Sequence, residues 1–70
     1  MTPQELGKAL RSRRRQLRLR QQDLADLAGV GRRFVVDLEA GTGDRDPGLH
    51  KVLDICAVLG LDLAVAPALA

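Results

Sequence analysis

Seventy residues hold little that can make or break bonds. Cys56 and His50 are the only cysteine and the only histidine, six positions apart. No nucleophile has a nearby base, no Gly-rich phosphate loop is present, and no spaced set of metal ligands exists. The sequence therefore predicts no enzyme, no catalytic residue, no metal and no cofactor. Cys56 falls on an apolar helix face and reads as a small buried hydrophobe. As a lone cysteine it also excludes an internal disulfide. What remains is the chemistry of fixed charge. Residues 1–35 contain nine Lys or Arg against three acids, whereas residues 36–70 contain two against six. Between Glu5 and Asp23 there is no acid, but there are seven bases: Lys8, Arg11, Arg13, Arg14, Arg15, Arg18 and Arg20. Such a block repels itself unless something negative lies alongside. A polyanion is the natural partner, although a solvated helix face would carry the same charge.

Four helical patterns must position these charges. Thr2-Pro3-Gln4-Glu5 is a helix start, with Thr2 as N-cap, Pro3 in the first turn and Glu5 able to bond back. Leu6, Leu10 and Leu17 give this first helix an apolar stripe to about Arg18. A second helix is expected over Gln21 to Ala28, with Leu24, Ala25, Leu27 and Ala28 apolar. Gly29 ends it, and Val30 anchors the turn. A third runs from about Arg32 to Glu39 or Ala40, with Val35 and Leu38 on one face and Gly41 as the stop. The stretch from Gly41 to Gly48 is rich in turn formers. A fourth helix covers about Leu49 to Leu59, with Leu49, Val52, Leu53, Cys56 and Leu59 inward, and Gly60 ends it. One domain over residues 1–60 is implied, with residues 61–70 as a tail.

The second and third helices call for close approach. Ala25 and Val35 fall on their inner faces, and a steep crossing leaves room for only a small side chain there. Gly29 permits the tight turn between them. The set Gln21, Leu24-Ala25, Gly29-Val30, Gly31-Arg32-Arg33, Val35 and Glu39-Ala40-Gly41 resembles the helix-turn-helix of the phage-repressor and Cro-like family, often called XRE. The first and fourth helices fit the same family. The resemblance implies an all-α, lambda-repressor-like domain of four to five helices whose third helix enters the DNA major groove.

From that resemblance the third helix would present Arg32, Arg33, Val36, Asp37 and Ala40. Arg32 and Arg33 are candidate base readers, since Arg bonds twice to guanine O6 and N7. Arg33 equally suits a phosphate. Val36 suits a thymine methyl, and Asp37 either accepts from cytosine N4 or orients an Arg. Phe34 reads as packing rather than base contact. Gln21 takes the family's role at the DNA backbone and as a buttress of the third helix, and Arg20 and Arg45 are further phosphate candidates. Glu39 would face inward to Arg13 or Arg14. Leu24, Ala25, Gly29, Val30, Val35 and Leu38 form the packing between the two helices. The family usually has Ser or Thr where this chain has Arg20 and Gly31. Those exchanges lose a side-chain cap, costing about 1 kcal/mol and a few tenths respectively.

In the tail, Leu61, Leu63 and Val65 alternate with smaller or polar residues, the period of a strand. With no partner strand in the chain, pairing with a second copy is the economical expectation, the alternative being an extended tail lying on the core. A short aliphatic core also favours dimerisation. The run Val58-Leu59-Gly60-Leu61-Asp62-Leu63 before that strand resembles antitoxins of the HipB type, which implies a homodimeric repressor and a kinase toxin of the HipA type as partner. The expected function is a transcriptional repressor binding double-stranded DNA at a palindromic operator. The alternative is an interaction protein that restrains a protein partner with weak or no specific DNA binding. The N-terminus is polar, and no apolar run approaches the ~20 residues that cross a bilayer, so no membrane contact and a cytoplasmic location are expected.

Overall fold

The computed structural model describes residues 1–42 and 46–68. Its helices, in chain order, are α1 (Pro3–Gln16), α2 (Gln21–Ala28), α3 (Arg32–Ala40) and α4 (Leu49–Leu59). Thr2 caps α1 as its sequence demands: the Glu5 N–H donates to Thr2 Oγ1 at 3.1 Å, and Pro3 occupies the first turn. The helix stops two residues short of the expected Arg18. Arg18 adopts a left-handed φ of 58°, its N–H donates to the Arg15 carbonyl at 3.0 Å, and the Leu19 N–H reaches back to Arg14 at 3.1 Å. This is a Schellman closure with Arg in a position that favours glycine.

The other three helices close in the same way with glycine. The N–H groups of Val30, Thr42 and Leu61 return to Ala25, Asp37 and Cys56 at 3.0, 3.2 and 2.9 Å. At Gly41 two constraints coincide. Its φ is 66°, and a Cβ there would stand 2.7 Å from the Gln4 Cα.

The core comprises Leu10, Leu24, Ala25, Val35, Val52, Ile55, Cys56 and Leu59, drawn from all four helices. Two expectations for α4 are corrected. Leu49 and Leu53 face solvent, 68% and 43% exposed, while Ile55 is fully buried. Val52, Ile55, Cys56 and Leu59 span an arc of about 100° on the helix, and Leu49 and Leu53 lie beyond one edge of it. Leu17 also leaves the core, because α1 ends before it; Leu19, after the turn, packs inward instead.

Ala25 and Val35 are both fully buried, as the α2–α3 crossing requires. A tighter approach occurs where sequence periodicity gave no hint. A Cβ on Gly7 would lie 2.6 Å from the Leu38 carbonyl oxygen and strike that of Glu39. Thus α1 rests directly on the last turn of α3.

The expected tail strand is not present. Among the described residues no segment is a strand, and residues 61–68 have no regular structure. A ladder needs a partner, and the single chain offers none. Leu61 is drawn into the α4 cap and half-buried against the core, while Leu63 and Val65 are exposed.

Candidate nucleic-acid interface

The surface to be explained is one side of α3 together with the start of α2. Gly31 begins α3 without a side-chain cap and the next two residues are basic. Arg32 and Arg33 are exposed, Val36 and Asp37 are half-buried, and Ala40 is exposed. Asp37 pairs with Arg33 one turn earlier, with Arg33 Nε 3.3 Å from Asp37 Oδ1. Both side chains are wet, so this pair adds little stability. Its effect is to hold the Arg33 fork along the outer face of the helix. Arg32 has no such partner among the described residues, and its five donors face solvent.

At the start of α2, Arg20 supplies no side-chain acceptor, as expected. The missing cap is partly replaced from the other direction: Asp23 Oδ2 accepts the Arg20 backbone N–H at 2.8 Å. Asp23 also takes the Arg20 guanidinium, with Nε at 3.1 Å and Nη2 at 2.9 Å. These bonds to Arg20, side chain first and backbone second, hold the Asp23 carboxyl down at about 2. One edge of the Arg20 fork remains available to an anion beside the positive end of α2.

A buried network fixes α3 against this helix start. Arg14 Nε and Nη2 donate to the two oxygens of Glu39 at 2.6 and 3.0 Å. Arg14 Nη1 donates to the Leu19 carbonyl at 2.8 Å, and Gln21 Nε2 donates to Glu39 Oε1 at 3.2 Å. The Glu39 hydrogen bond raises the Arg14 pKa further, so its charge is permanent. No buried side-chain polar atom among the described residues lacks a partner. In this geometry removing one half of the pair is the costly change, about 3–5 kcal/mol. Of the two candidates for Glu39, the structure selects Arg14. Arg13 turns to α4 and donates from Nε to the Leu59 carbonyl at 2.9 Å, where a cation also suits the helix C-terminus.

The expected packing set holds together. Leu24, Ala25 and Val35 are buried, Val30 and Leu38 pack against them, and Gly29 is left-handed at φ 70° with open space around it. Phe34 packs against the core with Lys51 Nζ 5.4 Å from its ring centre, away from base-reading use. Burial pushes the Cys56 thiol up, in keeping with a small buried hydrophobe. Arg45 lies outside the described residues. Periodicity missed Gly7, Leu19 and the cap formed by Asp23. Only the last had a visible signal, an acid three residues into a helix.

The sequence has counterparts in known proteins. Residues 10–65 match the family described as Helix-turn-helix. The chain is also similar to a protein of Sinorhizobium fredii (strain NBRC 101917 / NGR234) that bears the name uncharacterized HTH-type transcriptional regulator y4mF. The two are 44% identical over 64 residues, covering 91% of this chain and 82% of the relative.

Proposed function

The chain belongs to the helix-turn-helix family of the XRE type, and from that premise we propose that it is a sequence-specific DNA-binding repressor acting as a homodimer. One observation carries this reading. Arg32 and Arg33 stand exposed at the start of a helix that the Arg14–Glu39–Gln21 network locks in place. A rigid helix with an Arg fork at its N-terminal end suits base reading in the major groove. Arg20 and Gln21 then lie at the flanking phosphates. Arg32→Ala should cost about 1–3 kcal/mol on the preferred site and relax preference at one base pair. An equal loss on every sequence would make Arg32 a phosphate contact and remove it from readout.

In the dimer, a palindromic operator would present half-sites about one helical turn, ~34 Å, apart. The exposed tail supports this arrangement: Val65 is fully open, Leu63 is 37% exposed, and their backbone has no ladder in the single chain. Pairing the tails of two copies would satisfy those groups. Because Leu61 belongs to the α4 cap, the interface would begin at Asp62. Deleting residues from Asp62 onward should convert a dimer to a folded monomer by light scattering. A truncated chain that stays dimeric would place the interface elsewhere. The resemblance of the segment from Val58 to Leu63 to HipB-type antitoxins supports a role as the antitoxin of a toxin kinase operon. A kinase-like reading frame beside the gene is the corresponding expectation.

A further inference from the structure

Four of the ten Lys and Arg among the described residues hold a carboxylate or a helix-end carbonyl. Arg13 holds the end of α4, Arg14 holds Glu39, Arg20 holds Asp23 and Arg33 holds Asp37. Lys8, Arg11, Arg15, Arg18 and Arg32 do not, and the first three lie together on α1. All three are exposed, and no ion pair involves them among the described residues. Their spacing of three and four places them on one strip of α1, around a shallow dip that Ser12 and Gln16 also line. Like charges at that spacing repel, so the strip weakens the helix that carries it.

The position of α1 sets the strip beside the last turn of α3. Gly7 rests on the last turn of α3, and Gln4 Nε2 donates to the Gly41 carbonyl at 3.3 Å. At the other end Arg14 binds the Leu19 carbonyl, just before Arg20 and Gln21. So α1 packs on the last turn of α3, and its C-terminal end is tied to the turn that leads into α2. Around its axis Arg11 lies about 40° from Gly7 and about 60° from Arg14, both of which touch α3. It lies about 160° from Arg13, which faces α4.

Taking the DNA-binding reading as its basis, we propose that Lys8, Arg11 and Arg15 bind the phosphates of the same duplex beside the segment that α3 reads. The strip is a second backbone contact, and a base-blind one. With α3 in the groove, α1 can meet only the sugar–phosphate ridge. It therefore sets affinity for any duplex rather than preference among sequences.

The test compares the full chain with the triple variant Lys8→Gln, Arg11→Gln, Arg15→Gln on a random-sequence duplex and on the preferred one. Circular dichroism checks that helix content is retained. Each phosphate contact contributes about 0.9 to the slope of log affinity against log salt. The variant should lose about 2.7 from that slope on both duplexes, with the ratio of the two affinities unchanged. Should the triple variant fail to fold, Arg15→Gln alone, with an expected loss of about 0.9, serves the same purpose. An unchanged slope in a folded variant overturns the proposal and assigns the strip to an acidic protein. A loss confined to the preferred duplex also overturns it, because the strip would then read bases. A wild-type chain that binds neither duplex would instead defeat the DNA-binding reading itself.

Discussion

Arg13 and Arg14 are neighbours with separate tasks, because successive helix residues point about 100° apart. One turns to the last carbonyl of α4 and the other to Glu39. The sequence narrows the partner of Glu39 to these two residues. It cannot choose between them, since the choice depends on which side of α1 meets α3. Asp23 is a different kind of case: its three bonds to Arg20 follow from local spacing alone. Its folded pKa lies at about 2, below the usual 3.8. A depressed carboxyl contributes stability that is present above the unfolded pKa and lost as pH falls through the folded one. Between pH 4 and pH 2, wild type should therefore lose melting temperature more steeply than Asp23→Asn, in which the charge is gone. Parallel curves for the two proteins would show that the Arg20–Asp23 pair does not couple to folding.

The helices were legible from caps and periodicity, because those are local. The starts of α2 and α4 and the glycine stops fall where turn chemistry places them. The end of α1 was not legible, since Arg18 takes a left-handed turn that its residue type disfavours. Nor is the inward face of α4 legible: an apolar helix offers several stripes, and only tertiary contact selects Ile55 over Leu53. Gly7 is the most consequential omission. In a helix interior glycine normally lowers stability, by about 1 kcal/mol against Ala. Here a methyl group would meet backbone atoms of Leu38 and Glu39, which cannot step aside without moving α3. Gly7→Ala should thus destabilise the domain by about 2 kcal/mol despite better propensity, read as a lower urea midpoint. A midpoint equal to or above wild type would mean that α1 and α3 separate easily, and that the α3 register is not fixed by this contact.

Across the whole molecule, charge and packing divide the labour. The buried network holds α3, and Arg20, Arg32 and Arg33 stand exposed at the starts of α2 and α3. The motif from Gln21 to Gly41 made the candidate interface legible because its packing residues recur at fixed spacing. Assembly is not legible in the same way. Alternation over Leu61, Leu63 and Val65 gives the period of a strand, yet Leu61 serves the α4 cap, and a strand needs a neighbour that one chain does not hold. Binding to a random duplex library, selected at ~150 mM salt with excess competitor DNA, tests the central claim most directly, because specific contact survives competition and non-specific attraction does not. The account predicts enrichment of one two-fold symmetric site, lost at a single base pair per half-site in Arg32→Ala. A well-folded chain that enriches no site would contradict it, and the basic half of the molecule would then serve a protein partner.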